Sequence, residues 1–311
     1  MTTLVPPTQP RSVFASRNSI SQRETREFYL FVSPWIIGFL VFMLGPIVAS
    51  LYLGFTDYDA FSSPKWVGID NFARLFQDPL FWKSLRVSAL YSLMSVPLLL
   101  VVGLFIAILL NQALRGMSFL RTVYYMPAVI SGVAASMLWI WIFHPDFGIL
   151  NAGLALIGIR GPAWLWDQTW ALPSIVLMSL WGVGSSMLIN LGGLQSIPTA
   201  LYEAAEIDGA PAWRRFFSIT LPMLTPVIFY NLVTGIIGAL QIFTQGYIMT
   251  QGGPNNATLF YVLYLYRNGF EWFRLGLASA MAWLLFLILI LLTAFIFKSS
   301  PMWVYYEAGD A

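Results

Sequence analysis

The chain has 311 residues, of which 58% are apolar, 16% aromatic and only 10% charged, against roughly 45–50% apolar and 25% charged in an average soluble domain. A mean hydropathy of +0.73 leaves too little polar surface to coat a globule in water, so this is the composition of a membrane protein. No cysteine, one histidine (His144) and a net charge of +2 exclude a disulfide framework, thiolate chemistry, zinc ribbons, clustered imidazole ligation and a basic stripe for nucleic acid.

A charge at bilayer depth is costly and about 20 apolar residues cross the hydrocarbon core, so uncharged runs mark candidate spans. Residues 1–27 form a tail with Arg11, Arg17, Arg23 and Arg26. The 29 uncharged residues between Glu27 and Asp57 hold a first span at 28–55. The next loop, about 57–84, contains Trp66, Asn71 and Trp82 and reads either as a surface for an extracellular partner or as a plain connection. A 28-residue run after Arg86 gives a span at 87–111, and a 24-residue run after Arg121 gives one at 119–143. Trp139, Trp141, Trp164, Trp166 and Trp170 then cluster as an interfacial belt, with an aromatic cage for a ligand as the alternative. The 35-residue run after Asp167 holds a span at 170–194. The 51-residue run after Arg215 is broken by the polar, turn-forming stretch 250–258, so it holds one span, 219–245, rather than two. A last run of 23 residues gives 275–297, followed by a tail, 299–311.

The fold expected is therefore an all-α membrane protein of six transmembrane helices, within a single domain at 28–298. Nine Lys/Arg fall on the side of both tails and seven on the other. The acid-free Arg115/Arg121 loop and the leading helix place both termini in the cytoplasm. A cleavable signal peptide is not expected, because the first apolar run is too long.

Several activities lack their residues. None of the three lysines, Lys65, Lys83 and Lys298, follows a glycine, so no P-loop exists. The span interiors carry no acidic or basic side chain, which disfavours a proton-driven carrier, although a sodium site of carbonyls and hydroxyls survives that test. No paired Asp, Ser–base or His-ligand set supports intramembrane hydrolysis, and lone serines such as Ser92 and Ser179 read as packing residues. The chain is accordingly not expected to be an enzyme or to hold a metal or cofactor.

The most patterned polar segment is the loop 196–222. It spells two short helices with a break: Ser196 or Thr199 as cap, Pro198 in the opening turn, Gly209 as stop and Pro211 opening the second helix. Leu201, Ala204, Ala205 and Asp208 share one face by helical spacing. Glu203, Glu206 and Asp208 flank it, available to basic groups on a partner.

Glu203-Ala204-Ala205, three residues, Gly209, nine residues, then Ile219-x-Leu221-Pro222 resembles the full EAA signature of ABC importer permease subunits. With the six-span layout and Gly252-Gly253-Pro254-Asn255-Asn256 before the last span, the chain is similar over roughly 28–298 to the carbohydrate-uptake, maltose-permease-like branch of the type I importers. The resemblance implies a bacterial or archaeal inner-membrane subunit that carries a mono- or oligosaccharide inward. It implies a second permease subunit, different rather than identical, two ATPase subunits that bind ATP and magnesium, and an extracytoplasmic sugar-binding protein. Glu203, Ala204, Ala205 and Gly209 become the residues of a coupling helix that docks on the ATPase.

A sugar leaving water must find replacement hydrogen bonds, so its path should be polar and uncharged. On the fifth span Asn231, Thr234, Gly235, Gly238, Gln241 and Gln245 fall on one stripe at helical spacing. The fourth span adds Trp181, Gly182, Ser185, Ser186 and Asn190. Helix packing explains such a stripe equally well. The resemblance favours a substrate path through Trp181, Ser185, Asn231, Thr234, Gln241 and Gln245. Glycerol-phosphate-type substrates and an ion-coupled secondary carrier remain the alternatives, with a membrane scaffold as a third.

Overall fold

The computed structural model describes residues 17–112 and 114–305. Expectations for residues 1–16, Arg11 among them, and for 306–311 lie outside the described residues. The chain divides into two units, 1–53 and 54–311.

The described residues of the first unit form a long helix: α1 (Arg17–Phe39), a π-helical turn at Leu40–Leu44 and α2 (Gly45–Gly54), whose last residue opens the second unit. Helix thus begins well before residue 28, inside the expected tail. The turn widens where Pro46 follows: proline has no N–H to continue the ladder, and the Gly45 N–H bonds five residues back to the Leu40 carbonyl.

The second unit starts with a two-stranded hairpin, β1 (Thr56–Asp57) against β2 (Lys65–Trp66), antiparallel with Thr56 opposite Trp66. In its loop Ser62, through its backbone N–H and hydroxyl, and then Phe61, hold the exposed Asp59 carboxyl below the usual carboxylate range. Then come α3 (Asp70–Gln77), α4 (Pro79–Leu110), α5 (Met117–Val129), α6 (Gly132–Ile142) and α7 (Ile149–Leu156). After these follow α8 (Ala171–Ser179), α9 (Gly184–Ser196), α10 (Thr199–Ile207), α11 (Ala212–Arg215) and α12 (Leu221–Leu240). The last are α13 (Tyr261–Tyr266) and α14 (Leu275–Ser299).

Among the described residues four helical stretches are long and apolar enough to cross a membrane unbroken, Glu24–Gly54, Pro79–Leu110, Ala212–Leu240 and Leu275–Met302, and two more spans arise only if bent pairs are counted. Of the six spans expected, the third and fourth correspond to the bent pairs. α5 and α6 meet at 98°: Ile130 goes extended and the Ser131 hydroxyl caps the new helix by accepting from Ala134 N–H. α8 and α9 bend by 47° through Leu180–Gly182. The fifth stops at Leu240 instead of running to 245, because the chain leaves helical register to bury Ile242 in the core. The loop 57–84 is no plain connection. Asn71, 2% exposed, donates to the Gly54 and Thr56 carbonyls at 3.0 and 2.8 Å, so it is spent inside the fold rather than offered to a partner.

The centre is a three-helix packing of α4, α9 and α12. Small residues let the backbones close in. A Cβ on Gly103 of α4 would sit 2.8 Å from Ser186 Oγ of α9, and one on Gly193 would sit 2.7 Å from Val227 of α12. Arg121, in α5, donates from Nε and Nη2 to the Leu110 carbonyl at 3.3 and 2.8 Å. It therefore closes the C-terminus of α4, where a cation is favoured, besides adding charge to its loop. Trp139, Phe143, Trp164 and Trp170 form a continuous chain of tilted and edge-on ring contacts, and Trp170 is exposed, as are Trp141 and Trp166.

Candidate functional site

The 196–222 segment contains α10, as the spacing predicts, but its capping differs. Pro198 is the N-cap residue and no side chain caps the helix. Ser196 Oγ instead donates back to the Gly193 carbonyl at 2.8 Å. The stop is at Gly209, with φ +70°. Its N–H bonds Glu206 O at 3.0 Å and the Ala210 N–H bonds Ala205 O at 2.9 Å, the paired bonds of a Schellman ending, which needs a left-handed residue at that place. The second short helix is the foot of a long one: α11, a π-helical turn at Phe216–Thr220 and α12 run together as Ala212–Leu240, about 43 Å at 1.5 Å per residue.

Two side-chain contacts hold α10 to that foot. The Tyr202 hydroxyl meets Thr220 Oγ1 at 2.8 Å, and Arg215 lies 3.6 Å from Glu206. Glu206 is thus engaged within the chain, while Glu203 and Ala204 face outward with no partner among the described residues. Beside them Ile207 and Trp213 are 87% and 67% exposed. A cavity of about 230 Å³, lined by Ala205, Asp208, Arg214, Arg215, Ser218 and others, lies between α10 and the long helix.

At the other end of α12 three cavities share walls. One of about 280 Å³ includes Tyr91, Ser179, Trp181, Ser185 and Gln245. One of about 400 Å³ includes Tyr91, Ser95, Thr234, Gln241 and Gln245, and one of about 250 Å³ includes Ser185, Ser186, Asn231 and Thr234. Every residue expected on the path lines at least one of them, and no charged side chain lines any. Their chemistry differs, however. Asn231, 7% exposed, donates to Asn190 Oδ1 at 3.2 Å and so ties α12 to α9. Thr234 donates to the Tyr230 carbonyl. Gln241, Gln245 and Ser185 have no side-chain hydrogen bond among the described residues. The stripe is also not one helical face, because Gln241 and Gln245 lie past the end of α12.

Sequence reasoning missed the wall from α4, Tyr91 and Ser95. The signal was available in Ser84, Ser88, Tyr91 and Ser95, all buried and spaced three or four residues apart. Beyond the cavities, residues 244–274 fold back on the helix ends. The Lys83 ammonium donates to Asn255 O at 2.7 Å, the Ser88 hydroxyl accepts from Tyr261 N–H at 2.8 Å, and the Tyr264 hydroxyl donates to Asp78. Burial first, and then that bond to a carboxylate, push the Tyr264 hydroxyl up to about 12. Among the described residues no three His, Asp or Glu are grouped to hold a metal ion.

Residues 99–300 match the family described as binding-protein-dependent transport system inner membrane component. The chain belongs to that family. Similar proteins include the probable ABC transporter permease YesP of Bacillus subtilis, 48% identical, covering 91% of this chain and 93% of that one. The lactose transport system permease LacF of Rhizobium radiobacter is 39% identical, covering 82% and 87%. Among solved structures, a bacterial ABC transporter that imports the acidic polysaccharide alginate aligns with a TM-score of 0.80 at 26% identity, covering 92% of this chain and 99% of that one. The chain is therefore the membrane component of an ABC importer and not itself a catalyst. It is an inner-membrane protein, and such importers work with a binding protein, as in the alginate transporter bound to its pentasaccharide-loaded periplasmic protein.

Proposed function

We propose that this permease carries a neutral mono- or oligosaccharide into the cytoplasm, and that α10 couples the passage to ATP hydrolysis on partner subunits. The observation that carries the reading is continuity. The helix bearing Glu203-Ala204-Ala205 is bonded through Tyr202 to the foot of the same 29-residue helix whose far end opens onto the cavities. An ATPase subunit that seats on the outward-facing Glu203 and Ala204 then moves the foot of the long helix, and the helix shifts Thr234 and Gln241 against the walls from α4 and α9. Gly209 lets α10 lie across that helix instead of continuing into it.

The uncharged polar lining supports a neutral polyhydroxylated substrate. Relatives include a trehalose/maltose permease and an sn-glycerol-3-phosphate permease, but a phosphate calls for Arg or Lys, and the cavities offer none. The assembly consists of this chain, a second and different permease subunit, two ATPase subunits holding ATP and magnesium, and an external sugar-binding protein. It lies in the lipid bilayer with both termini of this chain in the cytoplasm. The domain limits stay 28–298, with 196–222 as the coupling loop.

The test is to purify the tagged chain in mild detergent, identify co-purifying chains by mass spectrometry, and assay ATP hydrolysis with and without sugar-loaded binding protein. A nucleotide-binding subunit whose hydrolysis rises with the loaded protein is the expected result. A chain that purifies alone, folded, and moves substrate on an ion gradient overturns the proposal.

A further inference from the structure

α7 (Ile149–Leu156) has no duty in either site described above. Asn151 is its single polar residue, and between Asp146 and Asp167 the chain carries one charge, Arg160. Helical spacing sorts the other residues into two faces. Leu150 and Leu154 are half-buried, with Leu150 packed against the core, whereas Ile149, Ala152, Gly153 and Leu156 are exposed. A helix apolar on both faces is ordinarily enclosed on both. Asn151 offers nothing outward: its Nδ2 donates to the Pro145 and Pro162 carbonyls at 3.0 and 3.1 Å, and its Oδ1 accepts from Trp164 Nε1 at 2.7 Å. Those bonds, with ring contacts running from Trp164 through Phe143 and Trp139 to Trp181, fix α7 to the fold, so its outer face does not turn inward.

The tip that follows is apolar, and its backbone is closed. Leu156 and Ile157 are 89% and 69% exposed, and Ile159 is exposed as well. The N–H groups of Ile157, Gly158 and Ile159 bond the carbonyls of Leu154, Ala155 and Leu154 at 3.2, 3.0 and 3.0 Å, with Gly158 at φ +75°. A turn facing water can leave such groups to the solvent, but one entering lipid must satisfy them within the chain. Exposed Arg160 comes next, and the exposed rings of Phe147 and Trp166 both pack on His144. An aliphatic tip, an aromatic flank and a lone cation match the layers of a bilayer boundary, from acyl chains through headgroups to phosphate.

We propose that α7 lies in the surface of the leaflet opposite α10, with its outer face and the tip 156–159 among the acyl chains and Arg160 at a lipid phosphate. The 13 uncharged residues between Asp146 and Arg160 are too few to cross, so the segment lies on the membrane rather than through it. A soluble partner that docks and leaves meets a surface about as apolar as the rest of a protein, which this tip is not. The bilayer then holds α7 in place and, through the aromatic chain, the Trp181 wall of its cavity. The assignment is independent of the sugar carried.

The chain has no cysteine, so a nitroxide on Ile157→Cys reports the tip in the complete transporter, reconstituted in phosphatidylethanolamine–phosphatidylglycerol vesicles. The complex with the unmutated chain, labelled in parallel, gives the background from other subunits. Collision of the label with oxygen, which concentrates in lipid, is compared with its collision with a water-soluble nickel chelate. Ile157→Cys is expected to favour oxygen and to report a depth of about 5–10 Å into the boundary between headgroups and acyl chains. Arg160→Cys should lie shallower, and Ser63→Cys, in the exposed hairpin loop, should favour nickel. Leu156→Cys, one residue earlier, supplies the same reading where Ile157→Cys lowers uptake. A tip label that meets nickel as freely as the label at Ser63→Cys places the tip in water and overturns the proposal. One that meets neither reagent places it under protein, the second permease subunit or the binding protein, and overturns it as well.

Discussion

The two ends of α12 are built in opposite ways. Beyond its C-terminal end, residues 244–274 are bonded into the fold by Lys83, Ser88, Asp78 and a Thr250–Thr258 hydroxyl pair at 2.7 Å. Phe260 and Tyr261 are fully buried there. At its foot, α10 is held by one hydroxyl contact and one long ion pair, and of its signature Glu203 and Ala204 point outward while Ala205 lines the cavity against the long helix. An end satisfied within its own chain is a fixed platform, whereas an end with outward-facing signature residues is, under the proposal above, where another protein docks. Substitutions at the foot should therefore uncouple transport without harming the fold, and substitutions in the platform should harm the fold first.

The sharpest break is Gly209→Val. A β-branched residue forced to φ +70° costs at least ~1–2 kcal/mol locally and lifts α10 off its crossing geometry. Uptake in proteoliposomes should fall more than about tenfold, a factor equal to ~1.4 kcal/mol, with the protein still inserted at its normal level. Glu203→Lys comes next, since it reverses a charge that the fold does not use. We expect binding-protein-stimulated ATP hydrolysis to drop about as far, and normal uptake in either variant would remove the coupling role from α10.

Gln241→Ala tests the middle of the molecule. It should reduce uptake several-fold, by about 1 kcal/mol for one neutral hydrogen bond, without lowering membrane levels. Asn231→Ala provides the contrast on the same cavity wall: it frees the buried Asn190 amide oxygen, so its effect should appear as ~1–3 kcal/mol of lost stability, read as a lower melting temperature. The smallest effect belongs to the platform. Tyr264 has its hydroxyl raised from 10 to about 12, so its bond to Asp78 is complete below pH 10 and is lost as pH rises through 12. Tyr264→Phe should melt lower at pH 8 and leave the sugar preference unchanged.

The sequence carried the EAA segment most clearly, because its meaning lies in residue types at fixed spacing, and Gly209 takes the left-handed conformation that spacing requires. Broken spans were less legible. Ser131-Gly132 sits in an apolar run where charge counting sees nothing, yet a serine cap and an extended Ile130 suffice for a 98° turn. The end of α12 at Leu240 is not announced by its glycines, since Gly235 and Gly238 lie inside the helix, and Ile242, just past the end, is buried in the core. The polar stripe was found, but which of its members are free was not. That depends on pairs distant in sequence, such as Asn231 with Asn190.

Docking of α10 on an ATPase subunit can be tested directly. The chain has no cysteine, so Ala204→Cys gives a single handle on the outward face of α10. A maleimide–diazirine cross-linker attached there, in the intact transporter, should capture the nucleotide-binding subunit in high yield and with a yield that changes when ATP is bound. A label at Ala204→Cys that stays solvent-accessible and captures no ATPase subunit in an actively transporting complex would mean that α10 does not dock there.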